Sequence, residues 1–275
     1  MINEFDTFIR SHGYEPKSSI EPGRWVRFGR KSAVSAKLYD DGLGGYLHDW
    51  RTGEHFYWFA NRDSLNPSEY EKLKAESDLL KQGQEAKRKE AYRKASATAE
   101  KLYRDASDAL RSHGYLVRKQ VKPFGIKQVD SNLLIPIYSV AGEMQSIQFI
   151  DELGSKKFLK DGRVSGGCHF IGEVVKDKPI YICEGYATAA SVYEDTKCLT
   201  IVAFNAANLV NVAKALKSHL SGIAIVIAGD ADPVGKKSAE AAANAVGGKT
   251  LIPCFGSNEE GYSDWNDYFN FRACK

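Results

Sequence analysis

Hydrophobic and polar positions follow three regimes along the 275 residues. Residues 1–66 alternate with period two in runs such as RWVRFGR (24–30) and GGYLHDW (44–50), and NRDSLNPS (61–68) closes them with turn-forming residues. That pattern predicts a small domain containing β-strands. Residues 67–112 mix Glu, Lys, Arg and Ala around a single glycine and predict one or two solvated helices linking domains. Their apolar stripe is thin: alanines with Leu73, Leu80, Leu102 and Leu110.

Residues 113–275 change character. Apolar runs, NLLIPIYS, MQSIQFID, IYICE, LTIVAF, IAIVIAGD and KTLIPCF, predict strands, and helical periodicity fills 186–195, 208–219 and 235–246. Strands alternating with helices argue an α/β sheet, mainly parallel and covered on both faces. We divide this part into a basic mixed α/β subdomain, 113–177, and a parallel-sheet domain, 178–275. The pentapeptide RSHGY occurs at 10–14 and 111–115, and each copy reads as a helix end capped by glycine. GGKT at 247–250 lacks the upstream glycine of a phosphate-binding loop and lies between a helix and a strand, so it reads as a helix C-cap.

The strand ends carry the candidate chemistry. IYIC runs straight into Glu184, and IAIVIAG into Asp230 and Asp232, a D-x-D broken by Pro233 and Gly235. Asp264 and Asp267 follow a further strand. In a parallel sheet these tips share one edge, where ligands bind. Crowded carboxylates repel unless a cation intervenes. Magnesium, with manganese as a substitute, is the natural occupant, because it is held by a few carboxylates and by substrate phosphates.

Charge and cysteine content narrow the field. A net charge of +3 means that any surface for a polyanion is local. No apolar run approaches the roughly 20 residues of a membrane span, and the N-terminus lacks a signal core, so a cytoplasmic protein without a membrane partner is expected. The five cysteines lack C-x-x-C spacing, so neither disulfides nor zinc are expected.

The pattern ICEGYATAASV … VAFNAANL … IVIAGDADPVG … DWNDYF resembles the Toprim domain of bacterial-type primases, topoisomerases and some nucleases. The resemblance implies that Glu184 is the catalytic acid/base or metal-linked glutamate and that Asp230 and Asp232 bind magnesium; Asp264 and Asp267 match less strictly. Upstream, SHGYLVRKQVKPFG through KKFLKDGRVSGG is similar to the basic segment of primases of conjugative plasmids and phages, and GRWVRFGR … HFYW to their leading domain.

On that resemblance, Lys156, Lys157, Lys160 and Arg163 hold triphosphate and template, with Lys157 the leading phosphate contact and also part of the catalytic set. Arg118 and Lys119 extend the basic surface, and Asn205 and Asn208 either touch nucleotide or cap a helix. In the first domain, Arg24, Arg27 and Arg30 interleave with Trp25 and Phe28, as suits single-stranded nucleic acid; His48, Asp49 and Trp50 read as structural. The implied activity is RNA primer synthesis on single-stranded DNA from NTPs, with a separate helicase or single-strand-binding protein as partner. A Toprim nuclease using the same acids and a non-catalytic strand-binding accessory protein are the alternatives.

Overall fold

The computed structural model describes residues 4–60, 67–220, 222–255 and 261–273, giving the backbone alone for 67–78, 80, 81, 84 and 273. Most of the turn anticipated at 61–68, with the side chains of Leu73 and Leu80, lies outside the described residues. The chain forms two compact units, Met1–Lys89 and Glu90–Lys275.

The first unit opens with helix α1 (Glu4–Ser11), which puts Phe5 and Ile9 on one face. Four antiparallel strands follow in sequence order: β1 (Trp25–Phe28), β2 (Val34–Leu38), β3 (Gly44–Asp49) and β4 (His55–Phe59). Alternation sends Phe28, Val34, Ala36, Leu38 and Leu47 inward against Phe5, Ile9 and Ile20. Gly45 is required at this contact, since a Cβ there would meet the Phe5 ring at 2.3 Å.

Helix α2 (Pro67–Asp105) contains the boundary between the units. Its alanine stripe is not simply solvated: Ala99 is fully buried and packs with Ala106, Leu134 and Ile147, while Leu110 is exposed. The second unit continues with β5 (Ser107–Asp108), α3 (Gly114–Lys119), β6 (Lys127–Val129), β7 (Asn132–Tyr138), β8 (Met144–Asp151) and β9 (Lys156–Phe158). The five strands form an antiparallel sheet in chain order. The unbroken apolar run of β7 follows from burial on both faces. Leu134 meets the alanines of α2, and Leu133, Ile135 and Ile137 join the core of the following sheet.

That sheet comprises β10 (His169–Ile171), β11 (Ile180–Cys183), β12 (Thr200–Val202), β13 (Ile225–Ala228) and β14 (Lys249–Leu251), in the order β10-β12-β11-β13-β14. All its pairings are parallel except β10 with β12. Helices α4 (Tyr186–Thr196) and α7 (Trp265–Ala273) cover the face carrying Cys183, Val202 and Ala228. Helices α5 (Leu209–His219) and α6 (Pro233–Val246) cover the face of Ile182, Ile201 and Ile227. No helix among the described residues is long and apolar enough to cross a membrane.

The RSHGY copies differ. The first ends α1, with Gly13 at φ +81°. The second opens a helix: His113 caps α3 by accepting from the Tyr115 N–H, and Gly114 is its first residue. Gly114 also packs close to Glu152, where a Cβ would lie at 3.3 Å. GGKT is the C-cap anticipated: Gly247 is left-handed and its N–H bonds the Ala243 carbonyl.

Candidate active site

β11 ends at Cys183, so Glu184 emerges at the carboxyl end of the sheet. Its backbone carbonyl accepts from the Phe204 N–H at 2.8 Å, which fixes the tip of β11 against the exit of β12. Burial raises the Glu184 pKa and the nearby Asp232 adds to this; Lys156 and the Ala206 N–H oppose it.

β13 delivers Asp230 in the same way. Helix α6 packs so closely on this turn that a Cβ at Gly235 would lie 2.8 Å from the Asp230 carbonyl oxygen. A bond from the Ala231 N–H to the Ser263 carbonyl, 2.7 Å, ties the D-x-D to the loop bearing Asp264. Asp230 is half-buried, and one oxygen, Oδ1, has no hydrogen-bond partner. Burial, followed by the charges of Asp264, Glu184 and Asp232, pushes its pKa up to about 7, and Lys156 counters in part. Glu184, Asp230, Asp232 and Asp264 thus form one electrostatic neighbourhood.

An orphaned buried carboxylate oxygen amid mutual repulsion is what a hard divalent cation relieves. Among the described residues, no group of three or more His, Cys, Asp or Glu side chains is drawn into a ready metal cage. An open arrangement suits magnesium, which keeps water and phosphate in its coordination shell.

Several expected roles change. Asp232 is partly spent: its Oδ1 caps α6 by accepting from Val234 and Gly235 N–H groups at 2.8 and 2.9 Å. Asp267 does not sit at a strand tip but in the first turn of α7, where it accepts from Ser263 N–H while Asp264 accepts from the Asp267 N–H. With Lys119 Nζ 3.8 Å away, Asp267 serves the start of α7 and is not among the charges acting on Asp230.

Asn205 is a cap, accepting from the Asn208 N–H at 3.0 Å. Asn208 is buried and contacts protein only: its Oδ1 accepts from Gly166 N–H, and its Nδ2 donates to the carbonyls of Ala203, Gly167 and Val164. No polar atom of its amide is left for a nucleotide.

Among the cations, Lys156 rather than Lys157 is the one that acts on the acids. Side chains alternate along β9, so Lys156 and Phe158 share a face and Lys157 takes the other. Phe158 packs edge-on against Phe204, beside the tip of β12, and Lys156 is the cation acting on both Glu184 and Asp230. Lys160 and Arg163 are exposed, and Arg163 Nε bonds the Ser165 carbonyl. Arg118 donates to the Glu152 carbonyl at 2.8 Å.

Arg118, Lys119, Lys156, Thr188 and Asp264 line a cleft of about 230 Å³. The N-terminus of α4, whose Gly185 provides no side-chain cap, opens on it. Thr188 and Tyr115, which also lines the cleft, were not anticipated; Thr188 sits in the first turn of α4, four residues after Glu184. Tyr186 was also missed. Its hydroxyl donates to the Lys122 carbonyl at 2.8 Å and accepts from the Phe124 N–H at 2.6 Å, anchoring the basic segment to α4.

In the first unit Arg24, Arg27 and Arg30 are exposed and Trp25 is largely so. Phe28 is 2% exposed within the core, so its ring has no face to offer a base.

Residues 179–273 match the Toprim domain family. Two proteins of Escherichia coli, both named DNA primase TraC, are similar to this chain. One is 34% identical over 255 residues, covering 85% of this chain and 24% of the relative. The other is 33% identical over 259 residues, covering 86% and 18%. The chain therefore spans about a quarter or less of the length of these relatives. Among solved structures, the Aquifex aeolicus primase (zinc-binding and RNA polymerase domains) aligns with a TM-score of 0.48 at 12% identity, over 98% of this chain and 80% of that one. The primase fragment of the bacteriophage T7 primase-helicase protein aligns with a TM-score of 0.44 at 16% identity, over 62% and 76%.

Proposed function

We propose that this chain, whose residues 179–273 carry a Toprim domain, is a primase-type nucleotidyltransferase that makes short RNA primers on single-stranded DNA for a plasmid, phage or related mobile element. The observation that carries the reading is the meeting of Glu184, Asp230, Asp232 and Asp264 with Lys156 at one sheet edge, and the orphaned Asp230 oxygen there. Similarity to the two TraC primases over most of this chain supports it.

Asp230, the free oxygen of Asp232 and Asp264 would hold magnesium or manganese. Once bound, such an ion neutralises triphosphate charge and activates the attacking hydroxyl. Glu184, its carboxyl held above the ordinary range, is the group suited to take the proton from the 3′-hydroxyl. Lys156 offsets phosphate charge beside the acids. The uncapped N-terminus of α4 and the cations Arg118 and Lys119 favour an anion in the adjoining cleft. The exposed Lys157, Lys160 and Arg163 serve the template strand. A bacterial cytoplasmic setting and a separate helicase or single-strand-binding protein go with this reading.

The test is incubation with single-stranded DNA, magnesium and labelled NTPs beside an Asp230→Ala/Asp232→Ala variant. Short labelled products made by the wild type alone are expected. Shortening of the DNA without NTPs would replace the reading with a nuclease, and unchanged DNA with no product would end it.

A further inference from the structure

The four-stranded sheet of the first unit buries one face and leaves the other open. Register lines that open face into two rows, beside the pair of Gly44 and the exposed Phe59 at its edge. Trp25 stands opposite Lys37, Lys37 opposite Tyr46, and Tyr46 opposite Tyr57. The second row runs Arg27, Ser35, His48, His55. Trp50 extends it: its ring lies 4.2 Å from His48, and its Nε1 donates to Ser35 Oγ at 2.8 Å. Trp25, Tyr57 and Trp50 are 57%, 56% and 61% exposed, far more than large rings need to be on a sheet with its own core. Neither row contains an acid or an aliphatic side chain.

We propose that this face is a stacking platform for the bases of single-stranded nucleic acid, running from Trp25 across Tyr46 to Tyr57. The proposal rests on the nucleic-acid reading above and adds where, and by what contacts, the strand is held. Charge complementarity selects the occupant. Arg27 and Lys37 lie in the rows and Arg24 and Arg30 beside β1, and among the described residues none of the four pairs with a carboxylate.

Flat rings interleaved with unpaired cations match a polyanion whose every base has a π-face. The rings are also held before any strand arrives. Tyr46 packs on Tyr57 at 5.1 Å and edge-on to Trp25 at 6.0 Å, and its hydroxyl meets His48 Nδ1 at 2.8 Å. Prior ordering lowers the entropic cost of binding.

The test uses the whole chain and fluorescein-labelled oligothymidylate, with EDTA and no nucleotides, read by anisotropy. Loss of one stacking ring is expected to weaken binding roughly 5- to 100-fold in Tyr57→Ala and in Trp25→Ala, while Tyr57→Phe, which keeps the ring, stays within about twofold. Wild-type tryptophan emission is expected to fall as the oligonucleotide is added, a readout that needs no variant to fold. Affinity unchanged in the alanine variants overturns the proposal. So does sedimentation showing that Tyr57→Ala disrupts self-association or a protein complex while DNA affinity holds. Because neither metal nor nucleotide is present, a chain that binds here but makes no primer defeats the catalytic reading alone, and one that makes primer with unaltered variant affinity defeats the platform alone.

Discussion

The two units solve the problem of exposing chemistry in opposite ways. The mainly parallel sheet of the second unit is covered by α4 and α7 on one face and α5 and α6 on the other. Its polar groups reach solvent at the strand ends, which is where Glu184 and Asp230 sit. The antiparallel sheet of the first unit covers one face with its own core and leaves Trp25, Arg27, His55 and Tyr57 exposed on the other, with Lys37, Tyr46 and His48 half-buried between them. A strand tip offers a few groups held by backbone on several sides, which suits bond making. An open face offers area and repeated spacing, which suits holding a polymer. The same division shows in the neighbours: the acids depend on close backbone approach, as at Gly235, whereas the platform rings depend on cross-strand pairs.

Substitutions that separate tip from face sharpen this contrast. The largest effect belongs to Glu184→Gln, which keeps shape and removes the proton acceptor. Primer synthesis measured with labelled NTPs is expected to fall by about 100-fold or more. Next comes the pair Lys156→Ala and Lys157→Ala. The first is expected to lose about tenfold or more in synthesis and the second only a few-fold, since alternation along β9 turns Lys157 away from the acids. Equal losses would break the placement of β9.

A smaller change concerns stability. Asn208→Ala strips partners from Gly166 N–H and three carbonyls and is expected to lower unfolding free energy by about 2 kcal/mol in urea titration. No loss would mean that the loop carrying Arg163 is not held by this amide.

The smallest is a pH effect on the metal-free protein. Asp230 has a folded pKa of about 7 against an ordinary 3.8, so between those values the native state binds more protons than the unfolded one. Its contribution is full below the lower value and is lost as pH rises through about 7. Asp230→Asn is therefore expected to gain stability relative to wild type over that window in EDTA, and magnesium to reverse the ranking. A difference independent of pH would contradict the crowding of acids at this edge.

Much of this was legible in the chain. The apolar runs of the second unit fall on β7, β8 and the parallel strands, and Glu184 and the D-x-D announce themselves because a carboxylate directly after a buried strand is costly without a purpose. What escaped detection depends on contacts between distant segments. Lys156 and Lys157 are equivalent in sequence, and the pairing of β9 with β8 decides between them. Asp267 reads as a strand-tip acid until α7 begins beneath it, and Asn208 as a loop amide until residues 164–167 close over it. Phe28 sits among arginines and exposed rings, yet period-two alternation sends it into the core with Val26, opposite Trp25 and Arg27. The second RSHGY shows the same limit, since identical residues end one helix and start another.

The central claim is that the acids at the carboxyl end of the parallel sheet are gathered to hold a hard divalent cation. Calorimetric titration of the wild type with Mn²⁺, beside Asp230→Asn/Asp232→Asn, tests it without relying on turnover. Saturable binding by the wild type that is absent or greatly weakened in the variant is the predicted result. Equal binding by both proteins, or none by the wild type at millimolar ion, would contradict it.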